Sequence, residues 1–184
     1  MSLLELLEEV KFKKKHPNLL KKIGDNAESN LLGSMWQGNH RDFIITDLTK
    51  KYPELYLKLI ELGKLANPDF DFTGIMLNKN CVAKPHRDKN NIGNSIIVGL
   101  GDYTGGELCL VDEEEDIIYE ADINKKFLEF DGKMIHYNKP IKSGTKWTII
   151  YFKNCVCNKY NIFINRNAYP PFTNNETKTD NQNK

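Results

Sequence analysis

The stretch "KMIHYNKPIKSGTKWTIIYF", residues 133–152, contains two short runs rich in β-branched and aromatic residues, "KMIHY" and "KWTIIYF". The segment between them, "PIKSGT", has the proline, serine and glycine that favour turns. Short runs of this composition, bounded by turn residues, are typical of β-strands. The stretch therefore predicts two strands with a turn between them.

Similar runs occur earlier in the chain, beginning at about residue 70. They are "FDFTGIML", "NSIIVGL", "GELCLV", "IIYEAD" and "KFLEF". No helical crossover separates these runs, as a parallel sheet would require, so we expect an antiparallel β-sandwich or barrel. The pair Gly105–Gly106 in "GDYTGG" additionally predicts a hairpin turn.

The N-terminal part has a different pattern. Leu3, Leu4, Leu7 and Val10 recur at helical spacing and favour a helix over the first 23 residues. After a polar link, residues 46–68 predict a second helical region, with Pro53 in the first turn of its main helix. We expect a helical buttress at 1–69, a β core at 70–170 and a disordered tail at 171–184. These segments form one structural domain, mainly β with N-terminal helices, of the α+β class.

Composition leaves the partner of the protein open. The 184 residues are 40% hydrophobic, and Lys+Arg 26 against Asp+Glu 25 gives a net charge of +1. The basic stretch "KFKKKHPNLLKK" and the acidic stretch "VDEEEDIIYEAD" are more often solvated surface than binding sites. No apolar run reaches about 18 residues, and glutamates near the start do not suit a secretory signal. We therefore expect an intracellular protein without a membrane segment.

The four cysteines do not form a CxxC pair. They are Cys81, Cys109, Cys155 and Cys157. In a strand, Cys-x-Cys directs its two side chains to opposite faces, which suits neither a disulfide nor a shared zinc ion. The sequence therefore predicts reduced thiols with a structural role.

The stretch "KPHRDKNN", residues 84–91, contains the first candidate metal ligands. In an extended segment, His86 and Asp88 project from one face while Arg87 faces away. An exposed hydrogen-bonded pair explains these two residues equally well, and a lone His136 is more often a satisfied, partly buried histidine. Together, however, two imidazoles and one carboxylate form the facial triad of non-heme Fe(II) oxygenases.

The strand "KWTIIYF" contributes a second feature. Lys146 and Thr148 share one face of the predicted strand. A buried cation beside a hydroxyl requires an anion to compensate it, and a dicarboxylic cosubstrate provides one. Taken alone, Lys146 would be an ordinary lysine whose ammonium reaches solvent.

These residues resemble the iron(II)/2-oxoglutarate-dependent dioxygenases, whose fold is a double-stranded β-helix, or jelly roll. More narrowly, "HRDKNNIGNS", "GLGDYTGGEL" and "HYNKPIKSGTKWTIIYF" are similar to the TET/JBP branch, which oxidises the 5-methyl group of methylcytosine or thymine in nucleic acid. The resemblance covers about residues 74–153.

The resemblance implies roles for six residues. These are catalytic Fe(II) ligands at His86, Asp88 and His136, 2-oxoglutarate binding at Lys146 and Thr148, and base recognition at Asn91. Lys146 stands where arginine is usual, which keeps the charge but loses the bidentate fork. The chain also departs from the methylcytosine enzymes at Asn154, where they have a histidine.

The implied reaction hydroxylates a C–H bond with Fe(II), 2-oxoglutarate and O2. The first hypothesis for the substrate is the 5-methyl group of a pyrimidine base in nucleic acid, extruded into the pocket. A protein side chain or a free amino acid is the alternative substrate. A non-catalytic β-sandwich that binds a partner is the third possibility, and the sequence gives no oligomeric state.

Overall fold

The computed structural model describes residues 1–12, 22–23, 27–39, 41–114, 116–157 and 162–164. The helices are α1 (Leu3–Glu8), α2 (Asp47–Lys51) and α3 (Pro53–Ala66). The strands are β1 (Lys22–Ile23), β2 (Glu28–Gln37), β3 (Asp42–Ile45), β4 (Gly74–Lys79), β5 (Val82–Ala83), β6 (Ser95–Leu100), β7 (Tyr103–Gly105), β8 (Leu108–Val111), β9 (Ile117–Ala121), β10 (Leu128–Phe130), β11 (Ile135–Asn138), β12 (Ile141–Gly144), β13 (Trp147–Phe152), β14 (Cys155–Cys157) and β15 (Ile162–Ile164).

Helix α1 is shorter than the sequence predicts. Its start is fixed by a capping box, in which the Ser2 backbone N–H donates to Glu5 Oε2 at 2.7 Å and the Glu5 N–H donates to Ser2 Oγ at 3.3 Å. The helix ends at Glu8, and Lys22–Ile23 is a strand paired with β5. The prediction of a helix over the first 23 residues is therefore wrong after Glu8 and at Lys22–Ile23. Residues 13–21 lie outside the described residues.

Helices α2 and α3 confirm the prediction for residues 46–68. Thr46 caps α2 by accepting a hydrogen bond from the Thr49 N–H at 3.3 Å. Pro53 occupies the first turn of α3, where its missing N–H costs no intrahelical hydrogen bond. Leu55 and Leu59 on this helix are buried, as their spacing predicts.

Strands β2 and β3 correct the prediction of a polar link between the helices. β2 pairs with β3 on one side and with β4 on the other. Its centre contains Gly33 and Ser34, whose partners lie far away in the chain: the Gly33 N–H donates to Thr49 Oγ1 and Ser34 Oγ donates to the Thr73 carbonyl. These residues carry little β propensity, so the strand depends on tertiary contacts. The division at residue 69 stays a prediction.

Two facing sheets form the β core. The larger sheet has six strands in the order β10-β6-β13-β4-β2-β3, and the smaller has three in the order β11-β8-β9. Every pairing between the named strands is antiparallel. All seven runs predicted from residue 70 onward form strands, namely β4, β6, β8, β9, β10, β11 and β13.

Two segments predicted as turns contain strands instead. "GDYTGG" includes β7 and "PIKSGT" includes β12, and these two strands pair with each other. The hairpin predicted at Gly105–Gly106 is wrong, because β7 and β8 lie in different sheets. Both glycines have positive φ, 75° and 73°, which carries the chain from one sheet to the next.

Strand β13 separates two packing regions by alternation. Trp147, Ile149 and Tyr151 face the helices and are buried at 1%, 0% and 0% exposure. Helix α3 packs closely on β13: a Cβ atom added to Gly63 would lie 2.7 Å from the Tyr151 ring. The Tyr151 hydroxyl donates to the Leu59 carbonyl at 2.7 Å, which fixes the helix on the sheet.

The remaining predictions concern thiols, membranes and the tail. Cys109 is a free thiol, as predicted, while the Cys157 side chain lies outside the described part. Among the helices of the described ranges, none has the length and apolar composition to cross a membrane. The predicted tail at 171–184 and most of the basic stretch at 11–22 lie outside the described residues.

Candidate metal centre

A cavity of about 420 Å³ lies between the two sheets. Its floor is the face of the six-stranded sheet that points away from the helices. Strand register places Asn78 beside Thr148 and Met76 beside Ile150 on this floor. The opposite wall is formed by β8 and β11, so the cavity is bordered by both layers of the β core.

The two candidate histidine ligands are brought together by the backbone. The His86 N–H donates to the His136 carbonyl at 3.1 Å, and the His136 N–H donates to the His86 carbonyl at 2.9 Å. This antiparallel bridge places residues 86 and 136 directly opposite each other. The two imidazole rings therefore lie on one side, with centroids 4.2 Å apart.

Asp88 completes the cluster. Its Oδ1 lies 3.7 Å from His86 Nε2, and its Oδ2 lies 3.9 Å from His136 Nε2. One ligand atom from each of the three residues lies within 4.8 Å of the other two. The predicted facial triad thus converges on one point, although its members come from two distant parts of the chain.

Hydrogen bonds orient both imidazole rings toward that point. His86 Nδ1 lies 2.7 Å from the Lys84 carbonyl, and His136 Nδ1 lies 2.9 Å from the Met134 carbonyl. A carbonyl only accepts, so Nδ1 donates in each ring and Nε2 is the nitrogen left to face the cluster. Burial lowers the pKa of His136, which is 5% exposed, and keeps its ring neutral as a metal ligand must be.

Arg87 lies between two candidate ligands but points away from them, as the sequence predicts. Its Nη1 donates to the Lys133 carbonyl at 2.7 Å, and its Nη2 donates to Glu113 Oε1 at 2.6 Å. The side chain therefore ties the ligand segment to the acidic stretch instead of contributing to the cavity.

Lys146 and Thr148 are both buried but differ in their relation to the cavity. Thr148 lines it, whereas Lys146 is not among the described lining residues. Lys146 is 1% exposed, and its Nζ donates to the Gly106 carbonyl at 2.5 Å and lies 5.4 Å from the centre of the Tyr103 ring. Burial lowers the pKa of Lys146 to about 8, although Glu107 and Asp122 oppose that shift.

Three buried polar atoms of the described side chains have no hydrogen-bond partner. They are Tyr103 Oη, Asn124 Oδ1 and Asn138 Nδ2. Tyr103 lies against Lys146, and burial, with Asp122 and Glu107, raises the pKa of Tyr103 to about 12, so it remains a hydroxyl donor. Asn138 lines the cavity. Sequence reasoning missed Asn138, although its position two residues after His136 places it on the same face of β11.

Asn91 and Asn154 both line the cavity at its other end. Asn91 is 9% exposed, and its Nδ2 donates to Asp88 Oδ2 and to Ser95 Oγ, each at 3.1 Å. Asn154 Oδ1 accepts a hydrogen bond from Thr73 Oγ1 at 3.2 Å. A backbone bridge joins Asn91 to Asn154, so the residue predicted to read the base and the residue that departs from the family pattern are neighbours.

Comparison with known proteins identifies the fold. No protein-family model matches this chain, and neither does any curated protein. A 2OG-Fe(II) oxygenase family oxidoreductase from Burkholderia pseudomallei is similar with a TM-score of 0.55 and 13% identity, covering 82% of this chain and 76% of that chain. NgTET1 in complex with 5mC DNA is similar with a TM-score of 0.53 and 16% identity.

The likeness to NgTET1 covers 68% of this chain, and this chain spans 60% of the length of that one. At these identities the likeness concerns the fold. It confirms the predicted double-stranded β-helix, or jelly roll, with additional N-terminal helices.

Proposed function

We propose that this protein is an Fe(II)/2-oxoglutarate-dependent dioxygenase that hydroxylates the 5-methyl group of a pyrimidine base, methylcytosine or thymine, in nucleic acid. The observation that carries the proposal is the cluster of His86, Asp88 and His136 at a cavity between the sheets. Two imidazoles and one carboxylate suit Fe(II), and they leave coordination positions open for cosubstrate and O2.

The buried groups around Lys146 fit a dicarboxylate. Among the described residues, no carboxylate lies within 4.0 Å of the Lys146 ammonium. Two donors without partners, Tyr103 Oη and Asn138 Nδ2, lie beside the ammonium and on the cavity wall respectively. A buried cation and unpaired donors favour an anionic ligand, which 2-oxoglutarate provides together with contacts to Thr148.

The metal and the cosubstrate supply the oxidative chemistry. When bound, Fe(II), O2 and 2-oxoglutarate convert a C–H bond to an alcohol, while 2-oxoglutarate becomes succinate and CO2. The protein's own groups bind and orient: three residues hold the metal, Lys146 and Thr148 hold the diacid, and the cavity wall holds the substrate. Burial of His136 and Lys146 limits the access of bulk water to the reacting groups.

The chemistry of the cavity supports a nucleobase as the group that enters it. Among the described lining residues, Asp88 is the one with a full charge, and it belongs to the metal cluster. Amide side chains recur around the wall, namely Asn78, Asn90, Asn91, Asn138 and Asn154. Amides hydrogen-bond to the edges of bases, so an uncharged, amide-lined cavity suits a flipped pyrimidine. The fold likeness to a protein solved with 5mC DNA agrees with this choice.

Metal and cosubstrate binding provide the first test. We expect the wild-type protein to bind Fe(II) and then 2-oxoglutarate under anaerobic conditions, and the His86→Ala variant to bind neither tightly. Arg87→Ala is the matched control, because this neighbouring side chain points away from the cavity. A wild-type protein that binds no Fe(II) would instead favour a non-catalytic β-sandwich.

Substrate oxidation provides the second test. Oligonucleotides that contain methylcytosine or thymine should gain oxygen in the mass spectrum after O2 is admitted, with release of succinate. Contacts to phosphates release counterions, so turnover should fall steeply as salt rises. Turnover that does not depend on salt would argue against a nucleic-acid substrate.

One feature of the surface favours a second candidate, hydroxylation of a protein side chain. The acidic stretch "VDEEEDIIYEAD" is tied to the ligand segment by the Arg87–Glu113 ion pair. Within this stretch, Ile117, Ile118 and Tyr119 on β9 are 47%, 54% and 48% exposed. An acidic and apolar surface attracts a basic peptide more than a phosphate backbone. Succinate release measured on basic peptides and on oligonucleotides under the same conditions separates the two candidates.

A free amino acid is less compatible with the cavity. Its ammonium and carboxylate would both require charged partners on burial, and the described wall offers none beyond the metal cluster. We further propose an intracellular location, because the buried Cys109 is a free thiol, which reducing compartments preserve.

A further inference from the structure

Asp88 has a second set of contacts outside the metal cluster. Asn91 Nδ2 donates one hydrogen bond to Asp88 Oδ2 and another to Ser95 Oγ, both at 3.1 Å. An amide nitrogen has two hydrogens, so these two acceptors use its full donor capacity. Ser95 is fully buried and Asn91 is 9% exposed, so the contact between these two residues lies away from bulk water, whereas the Asp88 side chain is 33% exposed.

The direction of this amide is fixed by chemistry. An ionised carboxylate only accepts hydrogen bonds, so the Asn91 nitrogen must face Asp88. The opposite orientation would place the amide oxygen against a carboxylate oxygen, where two acceptors repel. Ser95 Oγ accepts the second hydrogen of the same nitrogen and so helps to fix the orientation of the amide.

Several hydrogen bonds fix the backbone around these side-chain contacts. The Asp88 N–H donates to the Gly132 carbonyl at 2.7 Å, and the Asn91 N–H donates to the Asp88 carbonyl at 3.2 Å. The next residue, Ile92, donates its N–H to the Lys153 carbonyl at 2.8 Å, which joins the loop to the end of β13. Gly132 lies directly beneath the pair, since a Cβ there would approach Asp88 Oδ2 to 3.3 Å and Asn91 Nδ2 to 3.4 Å.

We propose that Ser95 and Asn91 are positioning residues that hold the Asp88 carboxylate in the orientation required for metal binding. This inference rests on the proposed function, because it assumes that Asp88 is a metal ligand. It gives Asn91 a task that is separate from base recognition: its amide nitrogen is committed to Asp88 and Ser95, and only its amide oxygen is left for a substrate. Partners of ligating carboxylates typically change metal affinity when they are removed.

Metal titration of the full-length protein tests the inference. Asn91→Ala should weaken the binding of Mn(II), used as a stable substitute for Fe(II), by about 10- to 100-fold. Ser95→Ala keeps the donor to Asp88 but removes its support, so it should weaken binding in the same direction and by less. Asn94→Ala is the matched control, since this amide lies in the same loop but donates to Glu129 on the surface at 3.0 Å.

A spectroscopic measurement separates positioning from a general loss of structure. The absorption bands of bound Co(II) depend on ligand geometry, so Asn91→Ala and Ser95→Ala should shift them while Asn94→Ala does not. Circular dichroism of the metal-free variants monitors folding. If Asn91→Ala does not fold, the smaller Ser95→Ala change still decides the outcome.

Two results would overturn the inference in distinguishable ways. If wild-type protein binds metal and both variants bind it equally well with unchanged Co(II) bands, Asn91 does not position Asp88. A higher KM for the nucleic-acid substrate in Asn91→Ala, with metal affinity unchanged, would then assign it to base recognition. If the wild-type protein itself binds no metal, the proposed function fails and the inference fails with it.

Discussion

The two faces of strand β13 differ in what they do, although they belong to the same six residues. On the helix side, Ile149 and Tyr151 are fully buried in an apolar core beneath α3. On the other side, Thr148 and Ile150 line the same cavity as the candidate metal ligands His86, Asp88 and His136. Alternation along one strand therefore separates stabilising contacts from the chemistry of the site.

The energetics of the two faces are opposed. Burial of each large apolar side chain on the helix side stabilises the fold by about 1.5–3 kcal/mol. The cavity side includes the unpartnered Asn138 amide, and Tyr103 and Lys146 are buried nearby without an anion. Each buried polar group without a partner costs about 1–3 kcal/mol. The site is thus maintained by stability supplied from the opposite face.

The largest expected effect is on the cavity face. Asp88→Asn preserves the shape of the side chain and can still accept the Asn91 hydrogen bond, but it removes the negative ligand. We expect metal affinity to fall by more than about 100-fold, beyond the loss that follows removal of a supporting partner. Mn(II) titration measures this change. Urea unfolding of the metal-free variant should give a free energy close to that of the wild type, and a large loss of stability would contradict the separation of the two faces.

The next effect is on the helix face. Leu59 is fully buried on the inner face of α3, so Leu59→Ala should lower the free energy of unfolding by about 2–5 kcal/mol. The dissociation constant for Mn(II) should not change in the folded variant. Leu57 is 42% exposed on the same helix and provides the control, for which we expect a change within about 0.5 kcal/mol. A weakened metal site in Leu59→Ala would show that the two faces are coupled.

The pH dependence of Lys146 sharpens the comparison, because loss of its proton should weaken 2-oxoglutarate binding and raise the stability of the fold. Its pKa is lowered to about 8 from 10.5, so the ammonium loses its proton above pH 8. We expect 2-oxoglutarate to bind less tightly as pH rises above 8, measured by calorimetry. Lys146→Arg should bind without this dependence, since its guanidinium stays charged. A wild-type affinity that is constant to pH 10 would contradict this role.

Stability should change in the other direction over the same range. Between pH 8 and 10.5 the unfolded chain retains the Lys146 proton and the folded protein does not. Stability rises with pH wherever the unfolded state binds more protons. The ligand-free wild type should therefore gain stability relative to Lys146→Met across this window, as measured by urea unfolding at several pH values.

The smallest effects come from two adjacent positions on β13. Thr148→Val removes one cavity hydroxyl and should weaken 2-oxoglutarate binding by about 2- to 10-fold, the range expected for one hydrogen bond. Ile149→Val removes one methylene from the helix face and should cost about 0.5–1.5 kcal/mol of stability without changing that binding. Calorimetry and urea unfolding on both variants test the pair. If Thr148→Val lowers stability and Ile149→Val weakens 2-oxoglutarate binding, the assignment of these two residues to the faces of β13 is wrong.

The sequence predicts the elements whose signals are local. The seven β-rich runs and the helical pattern at 46–68 contain their own periodicity, so their type follows from neighbouring residues. The placement of His86 and Asp88 on one face also follows from local sequence, because residues i and i+2 of an extended segment share a face. In each case the physical cause acts over a few residues.

Strands and contacts that depend on distant partners were not predicted. β2 is held by Thr49, Thr73 and β4, while β7 and β12 pair across an intervening stretch of 35 residues, 106–140, that includes the candidate ligand His136. Helix α1 likewise ends at Glu8 instead of continuing to residue 23, and Lys22–Ile23 pairs with the distant strand β5. Local propensity at these positions is weak, so backbone pairing with remote segments decides the structure.

The same distinction applies to the site. The sequence by itself determined which three residues could bind a metal, because ligand chemistry belongs to the residue type. Only the tertiary structure decided that the Lys146 ammonium contacts the Gly106 carbonyl, that Asn138 Nδ2 has no hydrogen-bond partner, and that Asn91 donates a hydrogen bond to Asp88. These contacts depend on distances between side chains brought together by the two sheets, and such distances are set by packing and not by the order of residues.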